Sequence, residues 1–348
     1  MPLNADVLRL DPEAEIGAIL SSIRETVLRT LHRKGAVVSV SGGIDSALCA
    51  ALSARALGPE NVLVLFSPER DSSPESLRLG KLLADKFGIP SQTEDIAPIL
   101  EASGCYRYQR QAVRMVVPEY TDGWKFKITL PSIVDGDRLN VSRLTVSAPG
   151  GETKSVRMSA QAYLQLVAAT NFKQRTRKML DYFHADRLNY AVCGTPNRLE
   201  YDQGFFVKGG DGLADFKPIA HLYKTQVFQL ARAMGVPEEI CNRTPTTDTF
   251  SLPQTQEEFY FALPYGKMDL CLYGHNHRVS AADVAPAVGL TPEQVERVYR
   301  DIETKRRTTL PLHLQALLME DVAEITKLKE AASHPVRGAA AASRTAGH

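Results

Sequence analysis

The 348-residue chain has little cysteine and no ordered arrangement of it. Its five cysteines, Cys49, Cys105, Cys193, Cys241 and Cys271, are scattered, odd in number and form no CxxC pair. That argues against a disulfide framework and against a zinc ribbon. Excess charge of either sign is also missing. The formal net charge is +1, so no general nucleic-acid partner is expected. No apolar run is long enough to span a bilayer and no secretory leader is recognisable, so the expected location is the cytoplasm, with no membrane partner. No internal repeat occurs, and GxxxxGK[ST] is absent, which removes the usual loop for γ-phosphate transfer. With 44% hydrophobic and 23% charged residues, the composition is that of an ordinary globular protein. The length suits one large α/β domain with an insertion, or two domains.

What the chain does contain is Ser41-Gly42-Gly43-Ile44-Asp45-Ser46. An apolar run at 36–40 leads in and a small-residue helical run at 47–57 leads out, which predicts strand, tight turn, helix. Such a turn leaves backbone N–H groups at a helix N-terminus, where the dipole favours an anion. Two serine hydroxyls can donate to phosphate oxygens, and one carboxylate can hold Mg²⁺. SGGxDS resembles the pyrophosphatase loop of the ATP-pyrophosphatase (PP-loop) superfamily. Its members cleave ATP between the α- and β-phosphates and adenylate a substrate.

Periodicity organises the rest. Residues 13–33 carry apolar side chains at helical spacing. Strands are expected at 61–66 and 89–94, and helices at 73–87 and 98–103. This βαβαβ order predicts a parallel sheet with right-handed crossovers. From Trp124 to Met158 the period becomes two. Phe126, Ile128 and Leu130 alternate with polar residues, as do Leu139 and Val141 and, after a slip, Leu144 and Val146. A small antiparallel β insertion is therefore expected, spanning 105–158 in all. A helix at 159–184, a buried strand at 189–194, a helix at 222–234 and a loop at 244–255 follow. Thr291 and Pro292 open a last long helix. Residues 1–330 read as one domain, and 331–348 as a frayed tail.

A second group of motifs lies between 171 and 248. It comprises NFKQRTR at 171–177, GTPNRLE at 194–200, GFFVKGGDGLAD at 204–215, KTQ at 224–226 and PTTD at 245–248. In this order they resemble the ammonia-dependent NAD synthetase family, with its GT…E, GFFTKxGDGxAD, LxKxQ and PTxD blocks. The resemblance covers most of 15–310 apart from the insertion. It implies a doubly wound parallel α/β sheet of the adenine nucleotide alpha hydrolase (PP-loop) type. It also implies an ATP-dependent amide ligase that adenylates the carboxylate of deamido-NAD. Ammonia then displaces AMP to give NAD, with pyrophosphate as the other product.

The resemblance also assigns roles. Ser41, Gly42, Gly43 and Ser46 would cradle the pyrophosphate of ATP, while Asp45 and Glu200 would hold Mg²⁺. Thr195 and Thr246 match ATP contacts through their hydroxyls. Lys224 matches a lysine near the triphosphate and, with Asp45, is the expected catalytic pair. Arg175, Lys208, Asp215 and Lys305 match positions that hold deamido-NAD. A homodimer is implied as well. No glutaminase domain is recognisable, so the nitrogen is expected as free ammonia, unless a separate subunit delivers it.

The chain departs from the family pattern in three places. Thr304 stands where the family has a histidine, next to Lys305. The stretch after the second strand, SPERD at 67–71, is unlike that of common members. The β insertion is extra. These departures leave open a PP-loop amide ligase for a different small carboxylate. A tRNA-modifying PP-loop enzyme would want a basic face and catalytic cysteines, and a nucleotide-sensing module would not need both metal carboxylates.

Overall fold

The computed structural model describes residues 3–129, 143–244, 250–252, 260–261 and 263–333. Its elements alternate as the hydrophobic pattern predicts. Helix α1 (Pro12–Arg24) starts at Asp11, whose carboxylate accepts hydrogen bonds from the N–H groups of Glu13 and Ala14. A capping side chain of this kind contributes about 1 kcal/mol. A π turn over Glu25–Thr30 and His32 at φ 51° close the segment. Then come β1 (Ala36–Ser39), α2 (Ile44–Leu57), β2 (Val62–Phe66), α3 (Pro74–Phe87), β3 (Ser91–Thr93), α4 (Ala97–Ala102) and α5 (Cys105–Arg114).

After the insertion strands β4 (Lys125–Thr129), β5 (Arg143–Ser147) and β6 (Thr153–Arg157), the 29-residue α6 (Ala160–Leu188) returns the chain to β7 (Ala191–Cys193). The remainder is helical: α7 (Arg198–Gln203), α8 (Lys224–Ala233), α9 (Glu238–Cys241), α10 (Tyr265–Asn276), α11 (Ala281–Val288), α12 (Pro292–His313) and α13 (Ala323–Ser333).

The main sheet is parallel, in the order β3-β2-β1-β7. Both faces of its inner part are covered, which is why β1, β2 and β7 are nearly continuous apolar runs, while the edge strand β3 (Ser91–Thr93) is polar and mostly exposed. Ala36, Val38, Val62 and Val64 pack with α2 in the largest core cluster. Val37, Leu63, Leu65 and Val192 face the other way, onto Tyr182, Ala185 and Leu188 of α6. The strand order reverses between β1 and β7. In such sheets the crevice outside the carboxyl ends of these strands is where ligands bind, and both SGGIDS and GTPNRLE follow those ends.

The insertion forms its own three-stranded antiparallel sheet, β4-β5-β6, pairing Phe126 with Val146 and Ile128 with Leu144. These four side chains are buried, so the period of two in the sequence marks the inward face. The expected pattern at Leu130, Leu139 and Val141 lies outside the described residues. The 105–158 stretch opens with a helix, α5, because Cys105, Tyr106, Gln109, Ala112 and Val113 recur at helical spacing and are buried. A further helical core joins Met268, Leu272, Val284, Val298 and Ile302 of α10 to α12. At the chain's end, α13 runs to Ser333 and 334–348 lie outside the described residues.

Candidate active site

The turn after β1 needs glycine at one position for a clear reason. Gly42 has φ 75°, and a Cβ there would sit 2.5 Å from the Ser76 carbonyl oxygen and 2.9 Å from Arg243 Nη1. Both serine hydroxyls brace the turn. Ser46 Oγ donates to the Gly43 carbonyl at 3.0 Å and accepts from the Ser41 N–H at 3.3 Å. The Gly43 N–H donates to Ser41 Oγ at 3.4 Å. Gly43 is the N-cap of α2 and supplies no side-chain cap, so the positive end of the helix opens at the turn.

Asp45, in the first turn of α2, meets groups from two other elements. Its Oδ2 pairs with Lys224 Nζ, and its Oδ1 accepts from Asn197 Nδ2 at 2.9 Å. Lys224 is fully buried. It is held at the start of α8, where Asp269 accepts from the N–H groups of Lys224 (3.2 Å) and Thr225 (2.7 Å). Burial pushes the Asp269 carboxyl up to about 6.

Asn197 caps α7, accepting from the Glu200 N–H at 3.2 Å, while Glu200 Oε2 accepts from the Asn197 N–H at 3.1 Å. This capping box fixes Glu200 beside Asp45. Burial, together with repulsion from Asp45, pushes the Glu200 carboxyl up to about 8. A divalent cation would relieve that repulsion. Two carboxylates, completed by phosphate oxygens and water, make a donor set that suits Mg²⁺.

Asp45 and Glu200 border a cavity of about 460 Å³. Of the expected site residues, Ser41, Gly43, Asp45, Ser46, Thr195 and Glu200 line it. Gly42 shapes the turn behind this wall, and Lys224 reaches the site through Asp45. Thr246 lies outside the described residues. Ser67, Pro68, Ser72 and Ser73 form the wall after β2. Arg70 stacks on Tyr106, and Asp71 joins Glu69 around the buried Lys173.

The four residues expected to hold the acid do not line this cavity. Arg175 Nε donates to the Lys208 carbonyl at 3.2 Å. Lys208 Nζ donates to the Pro311 and Leu314 carbonyls at the end of α12, at 2.8 and 3.1 Å. Asp215 accepts from the Val192 N–H at 2.7 Å and from the Tyr182 hydroxyl at 3.2 Å. Lys305 is paired with Asp301 at 2.8 Å and donates to the Tyr260 carbonyl, and burial lowers the pKa of its ammonium. Thr304 donates to the Arg300 carbonyl on its own helix.

Arg243 is a cavity residue that the motif reading passed over. Its Nη1 donates to the Gly42 carbonyl at 3.2 Å and its Nη2 to Ser76 Oγ at 2.9 Å. The only hint in the sequence is a cation two residues before PTTD. Elsewhere, His275 pairs with Glu303 and His277 stacks on Tyr273. Among the described residues no cluster of three or more metal-binding side chains occurs.

A sequence profile described as NAD synthase matches residues 15–119 and 143–309. The chain belongs to the NAD synthase family. Within that family it is 58% identical over 318 residues to the NH(3)-dependent NAD(+) synthetase of Mesorhizobium japonicum, covering 91% of this chain and 100% of that one. To the NH(3)-dependent NAD(+) synthetase of Rhizobium meliloti it is 55% identical over 322 residues, covering 92% and 96%. Two solved structures share the NAD synthase fold. NMN synthetase from Francisella tularensis superposes with a TM-score of 0.62 at 22% identity, covering 90% of this chain and 100% of that one. NH3-dependent NAD synthetase from Campylobacter jejuni gives 0.58 at 21%, covering 89% and 100%. No described helix is long and apolar enough to cross a membrane.

Proposed function

We propose that this chain is an ammonia-dependent NAD synthetase, converting deamido-NAD, ATP and ammonia to NAD, AMP and pyrophosphate. The observation that carries the reading is the meeting of Asp45, Glu200, Asn197 and Lys224 at the mouth of the SGGIDS turn. The acid's carboxylate oxygen attacks the α-phosphorus, the bond to the bridging oxygen breaks, and pyrophosphate leaves with the electron pair. Ammonia then adds to the acyl carbon and AMP leaves, with a proton lost from nitrogen. Little covalent chemistry falls to the protein, so positioning and charge neutralisation dominate.

In this reading Ser41, Gly42, Gly43, Ser46 and the N-terminus of α2 hold the departing pyrophosphate. Asp45 and Glu200 hold Mg²⁺, which when bound neutralises charge on the phosphate oxygens. Thr195 and Thr246 donate hydroxyls to ATP. Lys224 orients Asp45 and lends a buried positive charge, and Arg243 fixes the turn through the Gly42 carbonyl. Arg175, Lys208, Asp215 and Lys305 recognise the acid. For Lys208 that means exchanging its two carbonyl partners at the end of α12 for substrate oxygens. Residues 1–330 act as one domain with 105–158 inserted, in a cytoplasmic homodimer using free ammonia or a separate supplying subunit.

The test is a screen of acids for pyrophosphate release with ATP, Mg²⁺ and ammonium. Deamido-NAD should be converted to NAD with the highest kcat/KM. Preference for nicotinate mononucleotide or another small acid would overturn the substrate assignment while leaving the adenylation chemistry standing.

A further inference from the structure

Part of the cavity's lining is apolar, and some of that comes from the inserted sheet. Ile128 of β4 and Phe250 line the cavity together with Tyr163 and Val167 from the first turns of α6. Ile128 lies within 120–142, the stretch that the family profile skips. It pairs with Leu144 across the sheet, is 1% exposed, and belongs to the core that joins Phe126, Val146, Leu166 and Phe250.

The sheet also positions Phe250. The Phe126 N–H donates to Ser251 Oγ at 2.8 Å, and the Leu252 N–H donates to the Phe126 carbonyl at 3.1 Å. The rings of Phe126 and Phe250 meet edge to face at 5.8 Å. One turn further along α6, Asn171 and Gln174 also border the cavity. An apolar wall beside a few amide groups is the usual lining for a flat heterocycle with polar edges.

Resting on the function proposed above, we propose that the insertion is part of the nucleotide site. Ile128 and Phe250 form an apolar roof over the heteroaromatic ring of a bound nucleotide. The ring is the adenine of ATP or a heterocycle of the acid substrate, and the shared chemistry is a planar heterocycle packed on aliphatic and aromatic carbon. On this view Ile128 determines specificity from outside the common family scaffold.

Ile128→Ala and Phe250→Leu should be compared with Leu144→Ala, a change in the same small core away from the cavity. Steady-state KM for ATP and for deamido-NAD should be measured separately, with calorimetric ATP binding as a readout independent of turnover. Removing buried methylenes at a ligand contact should weaken the affected nucleotide about ten-fold or more. A rise confined to ATP, in KM and in calorimetry, assigns the roof to adenine. A rise confined to deamido-NAD assigns it to a ring of the acid substrate, its pyridine or its own adenine. If Ile128→Ala unfolds, the milder Ile128→Val should still shift one of the two constants more than Leu144→Ala does. Unchanged constants for both nucleotides in folded variants, or equal shifts in Leu144→Ala, overturn the roof. Wild-type protein that binds ATP but makes no NAD overturns the function proposed above and leaves the calorimetric comparison intact.

Discussion

Around Asp45, charged groups from three separate helices meet one another. Lys224 and Asn197 both reach its carboxylate, and Glu200 stands beside it in a capping box. Around Arg175 the charges are dispersed instead. Arg175 and Lys208 bond to backbone carbonyls, Asp215 bonds to a backbone N–H and a tyrosine, and Lys305 pairs with Asp301. The difference separates two kinds of readiness. The Asp45 cluster is already assembled in the free protein, so in the proposed reaction its charges need little reorganisation when pyrophosphate departs. If Arg175, Lys208, Asp215 and Lys305 hold the acid as proposed, they must exchange structural partners for substrate, and affinity is reduced by whatever those partners contribute.

The sharpest way to break this comparison is at Asp45. Asp45→Asn should lower AMP formation about 10²-fold or more, with the melting temperature close to wild type. Near-normal AMP output would remove the assembled half. Glu200→Gln should act in the same direction, and chelating Mg²⁺ should abolish turnover of the wild type reversibly. Turnover that survives chelation would sink the assignment of Asp45 and Glu200 to a metal. Gly42→Ala combines φ 75° with a close approach to Ser76 and Arg243. It should cost about 1 kcal/mol or more of stability and weaken ATP binding, as calorimetry and thermal melts would register.

Lys208→Ala tests the other half. It should raise KM for deamido-NAD about ten-fold, the worth of one charge-assisted hydrogen bond, while KM for ATP stays put. Equal increases in both would merge the two halves. The smallest effect belongs to Thr304→His. Thr304 is exposed and bonded to its own helix, so both constants should move less than two-fold or so, within the spread usual for surface substitutions.

The same contrast explains what the sequence made legible. Strand, glycine turn and helix at 36–57 were readable because each relies on local chemistry: a buried apolar run, a positive φ at Gly42, and a small-residue helix. Glu200 was readable through its block, and its capping box is likewise local. The long helix α12 was announced by Thr291 and Pro292, and the inserted sheet by its period of two. Long-range effects were hidden. Arg243 reaches back across the fold to Gly42, and α5 opens a stretch expected to be mainly β. Lys224 is buried and paired with Asp45, a partner its block did not announce. No spacing rule encodes such tertiary pairings.

In the proposed reaction the carboxylate of deamido-NAD is adenylated at the cavity bordered by Asp45 and Glu200. This step is tested most directly with deamido-NAD labelled with ¹⁸O in that carboxylate. One labelled oxygen should appear in AMP for each NAD formed, and Asp45→Asn should lose both products together. Unlabelled AMP, or ADP and phosphate in its place, would contradict the account.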